Sequence, residues 1–319
     1  MNRRSLGATG LQVAPLGFGA GHIGSPTMTE QEVGTLLNRA VDRGINLIDT
    51  ARGYGLSEER IGRHLSWRRG DVVLVSKCGY GVPNVEDWTP QAIYAGVDMA
   101  LRLMNTDYID VMLFHSCPAK TLRRPGLIDA LEDCVRAGKI RYAGYSGEND
   151  DLAFALSTRR FAVIETSVNV FDQRVLLGSP IDLPTSDARA VEQSVAAQKS
   201  ILEQAVERGV GVIAKRPLAN VPWKYLSRPV GEYVEPYWQR MHAMNVQPLI
   251  DNSGLTWEQV ALRFAAFAPG VSTAIVGTSN IANLERNIAI VHEGALPVEL
   301  TEALHKAFRQ HDDDWVGQI

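Results

Sequence analysis

A closed (β/α)8 TIM barrel of the α/β class, with an N-terminal β-hairpin covering its floor, is the fold the sequence predicts. Three observations predict it: eight short apolar runs, helical patterns alternating with them, and polar residues suited to proton chemistry at the ends of three runs. The runs cover residues 15–18, 45–48, 72–75, 109–113, 141–145, 162–164, 211–214 and 273–276. Strands alternating with helices make parallel βαβ units, and eight of them close without leaving an exposed edge.

Residues 2–13, with Gly7 and Gly10 as turn signals, read as the hairpin. Thr29 and Glu32 form a capping box before Val33, Leu36, Leu37, Ala40 and Val41, which recur at helical spacing until Gly44 stops the helix. Thr89-Pro90 opens a second helix that carries Ile93, Val97, Ala100 and Leu101 inward as far as Met104. Leu127, Ile128, Leu131 and Val135 make a third, closed by Gly138. Thr256 with Gln259 caps a later one bearing Val260, Phe264 and Phe267, stopped by Pro269-Gly270. No linker or repeat interrupts the pattern, so residues 1–319 read as a single barrel domain. Two long loops, at about 174–197 and 216–253, leave from the carboxyl ends of strands, where loops carry function.

With 45% hydrophobic and 21% charged residues and a net charge of -4, the chain has no basic field to draw nucleic acid or anionic lipid. No run approaches the ~18 apolar residues of a membrane helix, and the first residues lack a signal-peptide segment, so a cytoplasmic location is expected. Cys78, Cys117 and Cys134 cannot all pair and show no zinc spacing, which suits a reducing compartment and predicts no metal site. The expected partner is a small molecule, and the expected assembly a monomer or weak homo-oligomer.

Asp49, Lys77 and His115 each follow an apolar run, and Tyr54 lies five residues past Asp49. Each alone has an ordinary role as a cap, a solvated lysine, a half-buried aromatic or a core imidazole. In a parallel barrel, however, the carboxyl ends of all strands meet at one mouth. A carboxylate, a phenol, an ammonium and an imidazole gathered there amount to a tuned proton donor. Gly19-Ala20-Gly21-His22-Ile23-Gly24 matches a dinucleotide fingerprint, but residues 25–28 intervene before the cap at Thr29, so the glycines do not open directly into a helix.

The segments Asp49-Thr50-Ala51-Arg52-Gly53-Tyr54-Gly55, Val75-Ser76-Lys77 and Leu113-Phe114-His115 resemble the aldo-keto reductases, as do residues 6–13, 57–62 and 275–280. The resemblance implies a nicotinamide-dependent (β/α)8 enzyme with Asp49, Tyr54, Lys77 and His115 as its catalytic tetrad. The chemistry agrees. Hydride arriving at a carbonyl carbon makes the oxygen basic, and Tyr54 is the candidate acid. An unperturbed phenol titrates near ~10, and a neighbouring Lys77 would lower that value. Asp49 would hold the ammonium, and His115 would orient the carbonyl.

Where the family commonly holds the carboxamide with a Ser-Asn pair and a Gln, this chain carries Ser146-Gly147 and Glu165, and Gly19 ends the first strand nearby. An ionised Glu165 accepts from the carboxamide nitrogen but cannot donate to its oxygen. In place of an aromatic that stacks on nicotinamide stand Lys215, Arg216, Pro217 and Leu218. Either cation could lie over the ring or reach the pyrophosphate, or both could simply be solvated. Gly277, Thr278 and Ser279 lead into a helix over 281–290, whose N-terminus favours a phosphate, with Asn283 and Asn287 as adenosine-end contacts. Gly277 and Asn283 occupy positions where relatives often carry basic residues, which leaves Arg286 as the cation nearby. NADP is the default by resemblance and NAD the alternative.

Substrate contacts are expected from His22, Ile23, Tyr80, Trp88, Cys117 and either Trp223 or Tyr225, aromatic walls that suit sugars and ring carbonyls alike. The leading expectation is an NAD(P)-dependent oxidoreductase acting on an aldehyde, ketone or sugar. The alternative is a non-catalytic nicotinamide-binding sensor or regulatory subunit on the same barrel.

Overall fold

The computed structural model describes residues 1–178 and 199–319. Two short strands, β1 (Arg4–Ser5) and β2 (Gln12–Val13), pair antiparallel. Eight more close a parallel barrel in chain order: β3 (Leu16–Gly19), β4 (Leu47–Asp49), β5 (Val73–Cys78), β6 (Ile109–His115), β7 (Ile140–Ser146), β8 (Val163–Ser167), β9 (Gly211–Lys215) and β10 (Thr273–Gly277), with β10 pairing both β9 and β3. The predicted α/β barrel and its hairpin are therefore both present.

Helix caps fall where the sequence places them. Thr29 accepts from the Glu32 amide and Glu32 accepts in return from the Thr29 amide, opening the helix Glu30–Asp42. The same reciprocal box at Thr256 and Gln259 opens Trp257–Ala266, and Thr89 caps Pro90–Leu103. The connection over 216–253 is not a bare loop. It contains the helices Glu235–Met244 and Gln247–Ser253, which bury Tyr237, Met244 and Ile250 against Phe171, Trp257 and Phe308 in a second apolar cluster. Most of the other long loop, from residue 179 onward, lies outside the described residues.

Each strand runs one to three residues beyond its apolar run, because the inward face of the barrel changes character along its length. Leu47, Val73, Val75, Val111, Leu113, Val163, Ile213 and Ile275 form one interior cluster, which Leu6 and Val13 of the hairpin plug from below. The intervening residues, among them Leu74, Met112, Phe114, Ile164 and Val212, belong to the outer cluster beneath the helices. Alternation with period two thus separates the two cores. Tyr142 reaches down from β7 to donate to the Thr9 carbonyl, tying hairpin to barrel.

Candidate active site

Two residues beyond the last interior aliphatic on five of the strands, the same inward face turns polar. Asp49 follows Leu47, Lys77 follows Val75, His115 follows Leu113, Glu165 follows Val163 and Lys215 follows Ile213. Lys77 is 2% exposed, and its Nζ donates to Asp49 at 2.6 Å and to the Thr50 carbonyl at 3.0 Å, with Glu165 Oε2 at 3.4 Å. Burial opposes charge on Lys77, but Asp49 and Glu165 overcome it and raise its pKa. For the two carboxylates, burial and the charge of Glu165 push Asp49 upward, whereas Lys77 and Lys215 outweigh burial and pull Glu165 down.

Tyr54 sits on the turn after β4. Gly24 and Gly55 hold that turn back to back: the Leu56 amide donates to the Gly24 carbonyl at 3.1 Å, Gly55 has φ +54°, and a Cβ on Gly24 would fall 1.7 Å from the Tyr54 carbonyl oxygen. The glycines of the false fingerprint therefore bring the phenol to the mouth. Ser57 completes the seat, accepting from Thr50 and donating to the Ala20 carbonyl, both at 2.8 Å.

The Tyr54 ring centre lies 5.4 Å from Lys77 Nζ and 6.0 Å from the His115 ring, edge to face. Lys77 spends its hydrogen bonds on Asp49 and Thr50, not on the phenol. Its charge does lower the Tyr54 pKa, as the sequence suggests, but burial, Asp49 and Glu165 together carry it to about 12. His115 is neutral at pH 7, since burial and the Lys77 charge push it down to about 4. Its Nδ1 pairs with the Tyr80 hydroxyl at 2.7 Å, and Trp88 packs against Tyr80 with ring centres 5.6 Å apart.

A cleft of about 510 Å³ opens beside Asp49 and Tyr54, walled by Gly19, His22, Arg216, Pro217, Leu218 and Gly277, and also by Asn220 and Val221, which the sequence reading missed. Asn220 and Val221 adopt left-handed φ of 59° and 56°, a local path that no apolar period signals. A Cβ on Gly277 would stand 2.7 Å from His22 Nδ1 and 3.0 Å from the Gly19 carbonyl, so the bare glycine keeps the groove between β3 and β10 open.

Other expected contacts lie behind the wall. Ser146 donates to Glu165 at 2.9 Å, and Lys215 turns inward, 3.4 Å from Ser146 Oγ and 3.3 Å from Glu148. Arg216 borders the cleft, but its guanidinium is engaged by Glu148, Ser167 and the Gln318 carbonyl. Neither is a solvated side chain. Glu148, 1% exposed and absent from the sequence reading, binds Thr166, Ser167 and both cations. Its signal was available in its place two residues past Ser146, at the end of β7.

At the helix Ile281–His292, Asn280 caps the Ala282 and Asn283 amides, so the N-terminus is already partly satisfied. Thr278 is buried in the turn before it, Ser279 is exposed, Asn283 accepts from Arg286, and Asn287 is buried. Two expected substrate contacts are corrected. Cys117 is fully buried in the outer core, because Ser116 at φ 58° turns the chain away from the mouth. Trp223 stacks on Trp257 at 5.3 Å in the second apolar cluster, away from the cleft.

The Aldo/keto reductase family model matches residues 15–308. L-galactose dehydrogenase of Arabidopsis thaliana is 27% identical over 300 residues, covering 91% of this chain and 88% of its own length. A probable voltage-gated potassium channel subunit beta, also from Arabidopsis thaliana, is 26% identical and covers 91% of both chains. Among solved structures, the holo form of an aldo-keto reductase from Bacillus halodurans superposes with a TM-score of 0.74 at 25% identity over 96% of each chain. The chain belongs to the aldo/keto reductase family, and its architecture is the family's barrel.

Proposed function

We propose that this aldo/keto reductase family oxidoreductase transfers hydride between a nicotinamide cofactor and an aldehyde, ketone or sugar, with Tyr54 as general acid and base. NADP(H) is the cofactor by family, and NAD(H) is the alternative because Gly277 and Asn283 stand where relatives often carry basic residues. The observation that carries the reading is that Lys77 and His115 converge on Tyr54, which with Asp49 lines the cleft of about 510 Å³. When bound, the reduced nicotinamide supplies the hydride. Gly19, Gly277 and Arg216 to Leu218 would hold the cofactor from the cleft, with Ser146, Glu165 and Lys215 behind it.

Tyr54 donates its proton to the carbonyl oxygen as negative charge develops there, and recovers one afterwards. His115, neutral, would accept a hydrogen bond from the Tyr80 hydroxyl on Nδ1 and present Nε2–H to the carbonyl, which fixes the angle of approach. Asp49 anchors Lys77 so that the ammonium faces the phenol. His22, Tyr80 and Trp88 form the substrate wall and suit planar or ring carbonyls.

Oxidation of NADPH and NADH by 4-nitrobenzaldehyde and a carbonyl and sugar panel tests this. Tyr54→Phe should lower turnover by roughly 10²–10⁴-fold while leaving cofactor affinity intact. Undiminished turnover in that variant overturns the assignment. A second reading, a nicotinamide-binding regulatory subunit, draws support from the likeness to a potassium channel subunit beta. Tight cofactor binding without turnover across the whole panel would favour it.

A further inference from the structure

Asp49 satisfies Lys77 at 2.6 Å, yet a second carboxylate, Glu165, reaches the same ammonium from β8 at 3.4 Å. Glu165 is 2% exposed; its Oε1 accepts from Ser146, and its Oε2 has no hydrogen-bond partner among the described residues. Burying a second carboxylate beside one ammonium is costly. Charged and titratable groups face it from every neighbouring element: Asp49 of β4, Tyr54 of the following turn, Lys77 of β5, His115 of β6 and Lys215 of β9. Tyr80 lies beyond His115, and Glu148 and Arg216 lie beyond Lys215.

With Asp49 alone, the ammonium would form a neutral pair. Glu165 makes the group one charge more negative at any given protonation of Asp49, and a phenolate beside it is disfavoured. We propose that Glu165 is a positioning residue for the proton donor: by sharing Lys77 with Asp49 it keeps the Tyr54 hydroxyl protonated, and so sets the pH at which the site changes from donor to acceptor. This rests on the reading of Tyr54 as general acid and base. The rise of the phenol to about 12, against the pull of Lys77, accords with it.

The test is a titration of the intact protein labelled with 13Cζ-tyrosine, the Tyr54 resonance being assigned by its loss in Tyr54→Phe. In the native protein that resonance should stay unshifted to about pH 11, whereas Glu165→Gln should titrate about one unit or more earlier. Glu165→Asp, which keeps the charge, should restore the native profile. The alkaline limb of kcat/KM for carbonyl reduction should fall to lower pH in Glu165→Gln by the same interval. Equal midpoints in native protein and Glu165→Gln overturn the proposal. So does a native Tyr54 that titrates at or below the ~10 of free tyrosine, a result that does not depend on Glu165→Gln folding. An earlier titration in Glu165→Gln without any carbonyl turnover supports the link between Glu165 and Tyr54 while removing the catalytic reading. Tyr54-dependent turnover with no shift removes the link alone.

Discussion

At the floor of the barrel Leu6 and Val13 close against Leu47, Val73, Val111 and Val163, whereas further along the same strands the inward positions carry Asp49, Lys77, His115 and Glu165. The floor is held by burial, which is non-directional and tolerates small shifts. The mouth is held by charge, which stabilises only when each group has its partner at the right distance. The difference teaches how labour is divided along a strand. Aliphatic layers supply the stability, and they fix the register that lets three carboxylates alternate with three cations from Asp49 to Arg216.

Substitutions at the two ends should separate these roles. The largest effect is expected from Lys77→Met, which strands Asp49 and Glu165 without their ammonium and should cost roughly 3–5 kcal/mol in urea unfolding. A loss too small to measure would mean that water already reaches the cluster. Leu6→Ala comes next, at roughly 2–5 kcal/mol for the cavity left in the floor. Its cofactor affinity and turnover should match the native protein's, and a change in either would break the separation between the ends.

A smaller effect follows from pH. His115 has a folded pKa of about 4 against 6.5 for the free side chain, so the unfolded chain takes up the proton first as pH falls. The stability it contributes is present above pH 6.5 and is lost on descending toward 4. The melting temperature of His115→Gln should therefore fall less steeply over that interval than the native one; parallel slopes would mean that the folded imidazole is charged.

Much of this was legible in the sequence, and the failures have two causes. The eight strands, the caps at Thr29, Thr89 and Thr256, and the gathering of Asp49, Lys77 and His115 follow from local pattern. Ending each strand at its last aliphatic was the error, because a barrel interior that is polar at the mouth continues the period without continuing the hydrophobicity. Counting by two from Val163 and Ile213 would have placed Glu165 and Lys215 on the same inward face as Lys77. Their meeting across the barrel depends on strand closure, which no local window contains. Cys117 and Trp223 were misplaced for another reason: left-handed residues at Ser116 and at Ala219 to Val221 redirect the chain just before them.

The seat of Tyr54 has a consequence for redesign. Because the turn is clasped main chain to main chain through Gly24 and Gly55, the position of the phenol is set by backbone and not by the side chains of the proposed substrate wall. Substitutions at His22 and Trp88 should therefore leave the phenol at its address. Adding even a methyl group at Gly24 would evict it.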